Sequence, residues 1–181
     1  MVRRLIAGIS KMYYAQLSKN LSYEEATNSM YAKRNGLDNT PNFRQLGVMK
    51  YLAINLFQVI RDYFDSPIIV SSFYRAEEVN KGVGGSSKSD HMIKGNVAAI
   101  DIDNDNIEAE TGVSNRDIFY FIYDNLDYYK LIWEYGDNNK PSWVHVSYSK
   151  DERKNQEKRT YRIRRDGAGN VITEQFKDRR L

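Results

Sequence analysis

The chain has 181 residues, 41% of them hydrophobic and 28% charged, with a net charge of +3. That is the make-up of an ordinary soluble globular protein long enough to bury a sizeable core. It contains no cysteine, which excludes disulfide staples and thiolate-bound metal, so any metal site must use histidine and carboxylate.

No stretch approaches the roughly 20 apolar residues of a transmembrane helix. The apolar run at 5–9 is too short for the core of a signal peptide, and Lys11 follows it. The expectation is synthesis in the cytosol without an export signal and no membrane insertion. Residues 1–19 read as an N-terminal extension.

Ser22 followed by Glu25 in LSYEEATNSMYAKRNG is a capping-box pattern. With Gly36 as the stop it predicts one short helix of about three turns. In NTPNFRQLGVMKYLAINLFQVIRDYFDSP, Thr40 is expected as N-cap and Pro41 at the first helical position. Leu46, Met49, Leu52, Leu56, Val59, Ile60 and Tyr63 recur at helical spacing, which predicts the main core helix, ended by Pro67.

PIIVSSFY reads as a β-branched strand leading to Arg75. AEEVNKGVGGSSKS reads as a helical turn running into a Gly/Ser-rich loop, and VAAIDID as a second strand. Ser114 with Asp117 opens an amphipathic helix, NRDIFYFIYDNL. YKLIWEYG and SWVHVSY are two further strands around the turn-rich DNNKP, and TYRIRRDGAGNVITEQF reads as a terminal β-hairpin. Helices come first and strands cluster later. The expected class is therefore α+β, with N-terminal helices packed on a small antiparallel sheet.

Residues 150–165 carry most of the positive excess. A solvated charged segment is the expected reading; contact with nucleic acid or an anionic surface is the alternative. No nucleic-acid motif accompanies the charge, so no nucleic-acid partner is expected.

The two histidines, His91 and His145, lie near and within strand-like runs. Trp143, His145 and Ser147 share one face of SWVHVSY, while Val97, Ala99, Asp101 and Asp103 share one face of GNVAAIDID. If the two strands are neighbours, His145 and Asp101 meet on one sheet surface and His91 enters from the preceding loop. His, Asp and His leave a fourth position for water, the arrangement of catalytic zinc. A histidine between valines is also what a satisfied core residue looks like.

IIVSSFYRAEEVNKGVGGSSKSDHMIKGNVAAIDI, LIWEYG and SWVHVSY together resemble the M15 family of zinc D-Ala-D-Ala carboxypeptidases and peptidoglycan endopeptidases. The family's usual pattern is S-x-H-x-x-G-x-A-x-D, then W-x-H. The closest branch looks like the one common in bacteriophage lysis proteins, whose N-terminal helix and turn LSYEEATNSMYAKRNGLDNTP also resembles. The likeness spans roughly residues 20 to 150, leaving 151–181 as a basic C-terminal segment. It implies a Hedgehog/DD-peptidase-like fold and zinc held by His91, Asp101 and His145. It also implies Arg75 on a substrate carboxylate or the developing oxyanion, and Ser89 at a family serine position.

Two departures stand out. The histidine-to-aspartate interval is ten positions here and seven in the family. Two of the extra residues fall in a strand, which preserves the face of Asp101, and one falls in a loop; Asp103 and Asp90 remain alternative ligands. Some members carry a carboxylate three residues before the final histidine, where this chain has Ser142. Serine cannot deprotonate water there; in the phage-type branch the motif that LIWEYG resembles supplies a glutamate instead, so the resemblance implies Glu134 as the candidate general base. Arg75 could instead pair with Glu77 or Glu78 on the surface, and Glu134 could sit in a salt bridge. Trp143 and Tyr74 are candidate cleft walls.

The expected activity is zinc-dependent hydrolysis of peptidoglycan stem peptides at D-alanine by a monomer acting on the bacterial wall, as a phage lysis enzyme would. The competing reading is a non-catalytic wall-binding or phage structural module on the same fold.

Overall fold

The structure, a computed structural model, describes residues 15–178 and 180. The apolar run at 5–9 weighed as a leader lies outside the described residues. The description begins with a two-stranded antiparallel sheet of β1 (Gln16–Ser18) and β2 (Leu21–Ser22).

Ser22 then caps α1 (Tyr23–Thr27) through the expected reciprocal box with Glu25. The single helix expected up to Gly36 is two helices, because Ser29 supplies a second N-cap. Its side chain accepts from the Ala32 N–H and starts α2 (Met30–Asn35), which stops at Gly36 in the left-handed region, φ +62°.

The next cap also differs from expectation. Asn42, not Thr40, caps α3 (Phe43–Leu52), and Pro41 precedes the helix. The Asn42 side-chain Oδ1 accepts from the Gln45 N–H at 2.9 Å while the Gln45 side chain accepts from the Asn42 N–H at 2.9 Å. Two backbone donors are satisfied reciprocally, whereas the Thr40 N–H is taken up locally by Asp38.

After α3 comes a π turn, Ala53–Phe57, and then α4 (Gln58–Phe64). The wider turn moves the buried stripe by one position. Leu46, Met49, Leu52, Leu56 and Ile60 are buried as the spacing predicts, and Phe57 joins them. Val59 and Tyr63, expected in the core, are 40% and 64% exposed. Asp65, φ 44°, ends the helix before Pro67 is reached.

The larger sheet holds β3 (Val70–Ser72), β4 (Val97–Ile102), β5 (Lys130–Glu134), β6 (Trp143–Ser149), β7 (Arg159–Arg165) and β8 (Val171–Gln175) in the order β3-β4-β6-β5-β7-β8. Between β3 and β5 lie α5 (Glu77–Gly82), α6 (Glu108–Thr111) and α7 (Asn115–Asn125); α8 (Glu152–Asn155) precedes β7. The sheet is mixed rather than wholly antiparallel, because β7 runs parallel to β5. From the end of β6 the short connection through α8 passes the end of β5. β7 then runs opposite to β6 on the far side of β5, and so runs with β5.

Alternation divides the sheet into two faces. Ile100, Ile102, Leu131, Trp133, Val144 and Val146 belong to one core with residues of α3, α4 and α7. The opposite face carries Asp101, Ile132, Glu134, His145 and Ser147. Burying each large apolar side chain is worth roughly 1.5–3 kcal/mol. A one-residue slip of β4 against β6 would push Asp101 and His145 into that core. The apolar face therefore fixes the register on which the polar face depends. Among the described residues, no helix is long and apolar enough to cross a membrane.

Candidate functional site

β4 and β6 pair antiparallel with Asp101 directly opposite His145. His91 reaches them from a 3-10 turn, Asp90–Met92, whose N-cap Ser89 accepts from the His91 N–H at 3.4 Å. The Arg75 N–H donates to the His91 carbonyl at 3.1 Å and holds the turn against the end of β3.

The three side chains converge. Asp101 Oδ1 lies 2.8 Å from His145 Nδ1 and 3.1 Å from His91 Nε2, and the two ring nitrogens are 3.3 Å apart. All three are buried, with ligand atoms within 4.8 Å of one another, so the group could hold a metal ion. Asp90 and Asp103 are outside it. The Asp90 carboxylate accepts from Lys130 Nζ at 2.7 Å, and Asp103 accepts from the Asp105 N–H and from Asn115 Nδ2.

His91 Nδ1 lies 2.6 Å from the Phe73 carbonyl oxygen. A carbonyl only accepts, so Nδ1 carries the proton. Burial pushes the His91 pKa down against the pull of Asp101, which leaves Nε2 bare. That lone pair faces the Asp101 carboxylate. Burial also opposes ionisation of Asp101, but the adjoining imidazoles, with the hydrogen bond from His145 Nδ1, hold its carboxyl well below the usual range. A buried carboxylate and a bare ring nitrogen aimed at one point suit a cation between them.

Arg75 binds the other side of the carboxylate, with Asp101 Oδ2 at 2.5 Å, and its Nε donates to Ser72 at 2.8 Å. The alternative of a surface pair with Glu77 or Glu78 is thereby corrected: Glu77 pairs with Lys94, and Arg75 turns inward because Asp101 offers a buried charge.

Glu134, on β5 beside β6, places Oε1 4.0 Å from His145 Nδ1. Burial pushes its carboxyl above the ordinary glutamate range; His145 opposes this and the Asp101 charge adds to it. Tyr135 and Gly136 follow with φ of 53° and 64°. A Cβ at Gly136 would stand 2.1 Å from the Lys140 carbonyl oxygen. Only glycine fits this turn, which brings Trp143 back opposite Glu134. Ser142 takes no part through its side chain in this arrangement: its N–H donates to the Glu134 carbonyl, and its own carbonyl accepts from Asn115.

A cavity of about 480 Å³ contains Arg75, Ser89, Glu134, Trp143 and the three clustered residues. Tyr74 is not in its wall. It is 5% exposed and borders a separate open hollow of about 840 Å³, its hydroxyl 3.4 Å from Gln45, because its side chain leaves the chain on the opposite side from Arg75. Lys130, Ile163 and Val171 also border the smaller cavity, and the sequence singled out none of them. Lys130 lies two strand periods from Glu134, a signal that alternation could have used. Ile163 and Val171 arrive by a parallel pairing that no local pattern announces.

An α+β fold with a buried His-Asp-His group in a cleft, flanked by a carboxylate and a guanidinium, has the form of a metal-dependent hydrolase. The profile of the Peptidase M15 family matches residues 19–116, and the chain belongs to that family. The matched stretch takes in Arg75, Ser89, His91 and Asp101 and stops before Glu134, Trp143 and His145. A comparison with curated proteins returned no match.

Proposed function

We propose that the protein is a zinc peptidase that hydrolyses peptidoglycan stem peptides at a D-alanine. The observation that carries this reading is the convergence of His91, Asp101 and His145 in a cleft of an M15 chain. The donor set fits zinc: two imidazole nitrogens and one carboxylate, with the His91 ring held from behind by the Phe73 carbonyl and the Asp101 carboxylate by Arg75. Zinc bound there supplies Lewis acidity toward the scissile carbonyl and a water acidified toward neutrality.

The chain's own residues do the rest. Glu134 takes a proton from the attacking water and passes it to the leaving amine. Its raised pKa suits that exchange. Arg75 holds the Asp101 carboxylate in place and presents its remaining donors to substrate carboxylate or the developing oxyanion. Trp143 and Ser89 border the cleft where substrate lies. Residues 20–150 form the peptidase unit, acting as a monomer on the bacterial wall. The branch resemblance makes phage lysis the setting.

The test is clearing of purified cell walls in a gel, with chelator and with zinc restored. Clearing that chelator abolishes and zinc returns supports the reading. Stoichiometric zinc with no clearing and no cleavage of D-alanyl peptides would overturn it in favour of a wall-binding module.

Arg75→Met tests the support behind the cluster. Losing the guanidinium is expected to weaken zinc affinity about 10- to 100-fold in a chelator competition. An unchanged affinity would mean that Arg75 does not hold Asp101.

A further inference from the structure

The C-terminal hairpin borders the same cavity as the His-Asp-His group, although it lies beyond both the matched stretch and the 20–150 unit. In the β5–β7 register Ile163 stands beside Glu134, and in the β7–β8 register Val171 stands beside Arg165. Ile163 is half-buried, and Val171 is 54% exposed.

β7 reads RTYRIRR, so Ile163 is its one aliphatic residue. The alternating arginines face away: Arg162 donates to Asn138 at 2.6 Å, and Arg164 pairs with Glu174 at 3.3 Å. Ile163 and Val171 thus share the cleft-side face of the hairpin with Tyr161 and Arg165, while Ile172 lies on the opposite face.

Its position relative to Glu134 is fixed. The Tyr135 N–H, one residue after Glu134, donates to the Ile163 carbonyl at 2.7 Å. At the tip, Asp166 Oδ1 accepts from the Ala168 and Asn170 N–H groups, each at 2.9 Å. This loop is closed on itself and holds β8 in register.

We propose that Ile163 and Val171 form a specificity-determining wall that receives the methyl-sized apolar side chains of an extended wall peptide on the Glu134 side of the scissile bond. The proposal rests on the peptidase reading for the identity of the peptide. Neighbouring strands lie about 4.8 Å apart and an extended chain advances about 3.3 Å per residue. A peptide crossing from β5 to β8 therefore needs roughly three residues beyond the scissile bond to reach Val171. Ile163, one strand from Glu134, is reached roughly one to two residues beyond the bond, so substrates that stop short of that touch neither residue and longer ones do.

The experiment uses the full chain with Ile163→Ser and Val171→Ser, and Ile163→Val as the conservative control. Peptides ending in or containing D-alanine are lengthened one residue at a time on either side of the shortest peptide cleaved. For wild type, lengthening on one side is expected to raise kcat/KM about tenfold through KM, the scale of one apolar contact. Both serine variants lose that gain, leave the shortest peptide unchanged and melt as wild type does; Ile163→Val restores it. Equal losses on all peptides, or a length gain that survives both substitutions, would overturn the wall.

Calorimetric titration of chelator-treated protein with a wall pentapeptide separates the two readings. Binding about tenfold weaker in the serine variants, with no cleavage by wild type, keeps the wall and removes the peptidase. If wild type neither binds nor cleaves, both fall.

Discussion

His145→Ala is expected to lose both bound zinc and wall-clearing activity while the protein stays folded. His145 stands on the polar face of β6, between Val144 and Val146, which belong to the core. Truncating it leaves that apolar packing intact, and Asp101 keeps Arg75 and His91 as partners. One of three donors is gone, however, and with it the geometry that makes a cation favourable in the cleft. Metal catalysis is worth several kcal/mol of transition-state stabilisation, so activity should fall at least about a thousandfold.

Elemental analysis after dialysis checks the first half, and thermal unfolding with and without zinc checks the second. A folded state that binds metal at about 1,000 times its Kd gains roughly 4 kcal/mol. The variant should show no such zinc-dependent rise in melting temperature. Unchanged zinc content would refute His145 as a ligand and, with it, the metal-centred reading of the cleft.

The pairing beneath this prediction was legible in the sequence because it follows from period-two alternation and one strand-neighbour assumption. Trp143, His145 and Ser147 on one face and Asp101 on the facing strand needed only β4 and β6 to be adjacent, and they are. The three extra residues between His91 and Asp101 are taken up without disturbing this, since Asp101 is still opposite His145. Caps with a reciprocal side-chain bond, Ser22 with Glu25 and Ser114 with Asp117, were legible for the same reason: all partners lie within four residues.

What failed was a competition between equally local signals, or was not local at all. Thr40-Pro41 and Asn42-Gln45 both look like helix starts, and only the second satisfies two backbone donors at once. The π turn at Ala53–Phe57 has no composition signature, so periodicity alone put Val59 and Tyr63 in the core. Arg75 has two glutamates close behind it in sequence, yet its partner is Asp101, 26 residues away. The parallel β5–β7 pairing joins strands separated by the whole of β6, and local chemistry carries no trace of it.

Glu134→Gln is the sharper test of chemistry, because it separates holding the metal from moving the proton. The amide has the shape of the carboxylate and should keep the packing against β6, but it cannot accept a proton from water. Glu134 lies 4.0 Å from His145 Nδ1. That is near enough to serve a water at the cluster and is longer than the contacts among the three clustered residues. Zinc content is therefore expected to stay at the wild-type level while kcat falls about 10²- to 10⁴-fold, the usual contribution of a positioned general base. If zinc is lost together with rate, Glu134 belongs among the ligands. If the rate stays near normal, the base is another carboxylate of the cavity wall. Apart from the proposed ligand Asp101, the described lining offers Asp90, which Lys130 already engages. Asp90→Asn in the Glu134→Gln background would then have to produce the loss that Glu134→Gln alone did not.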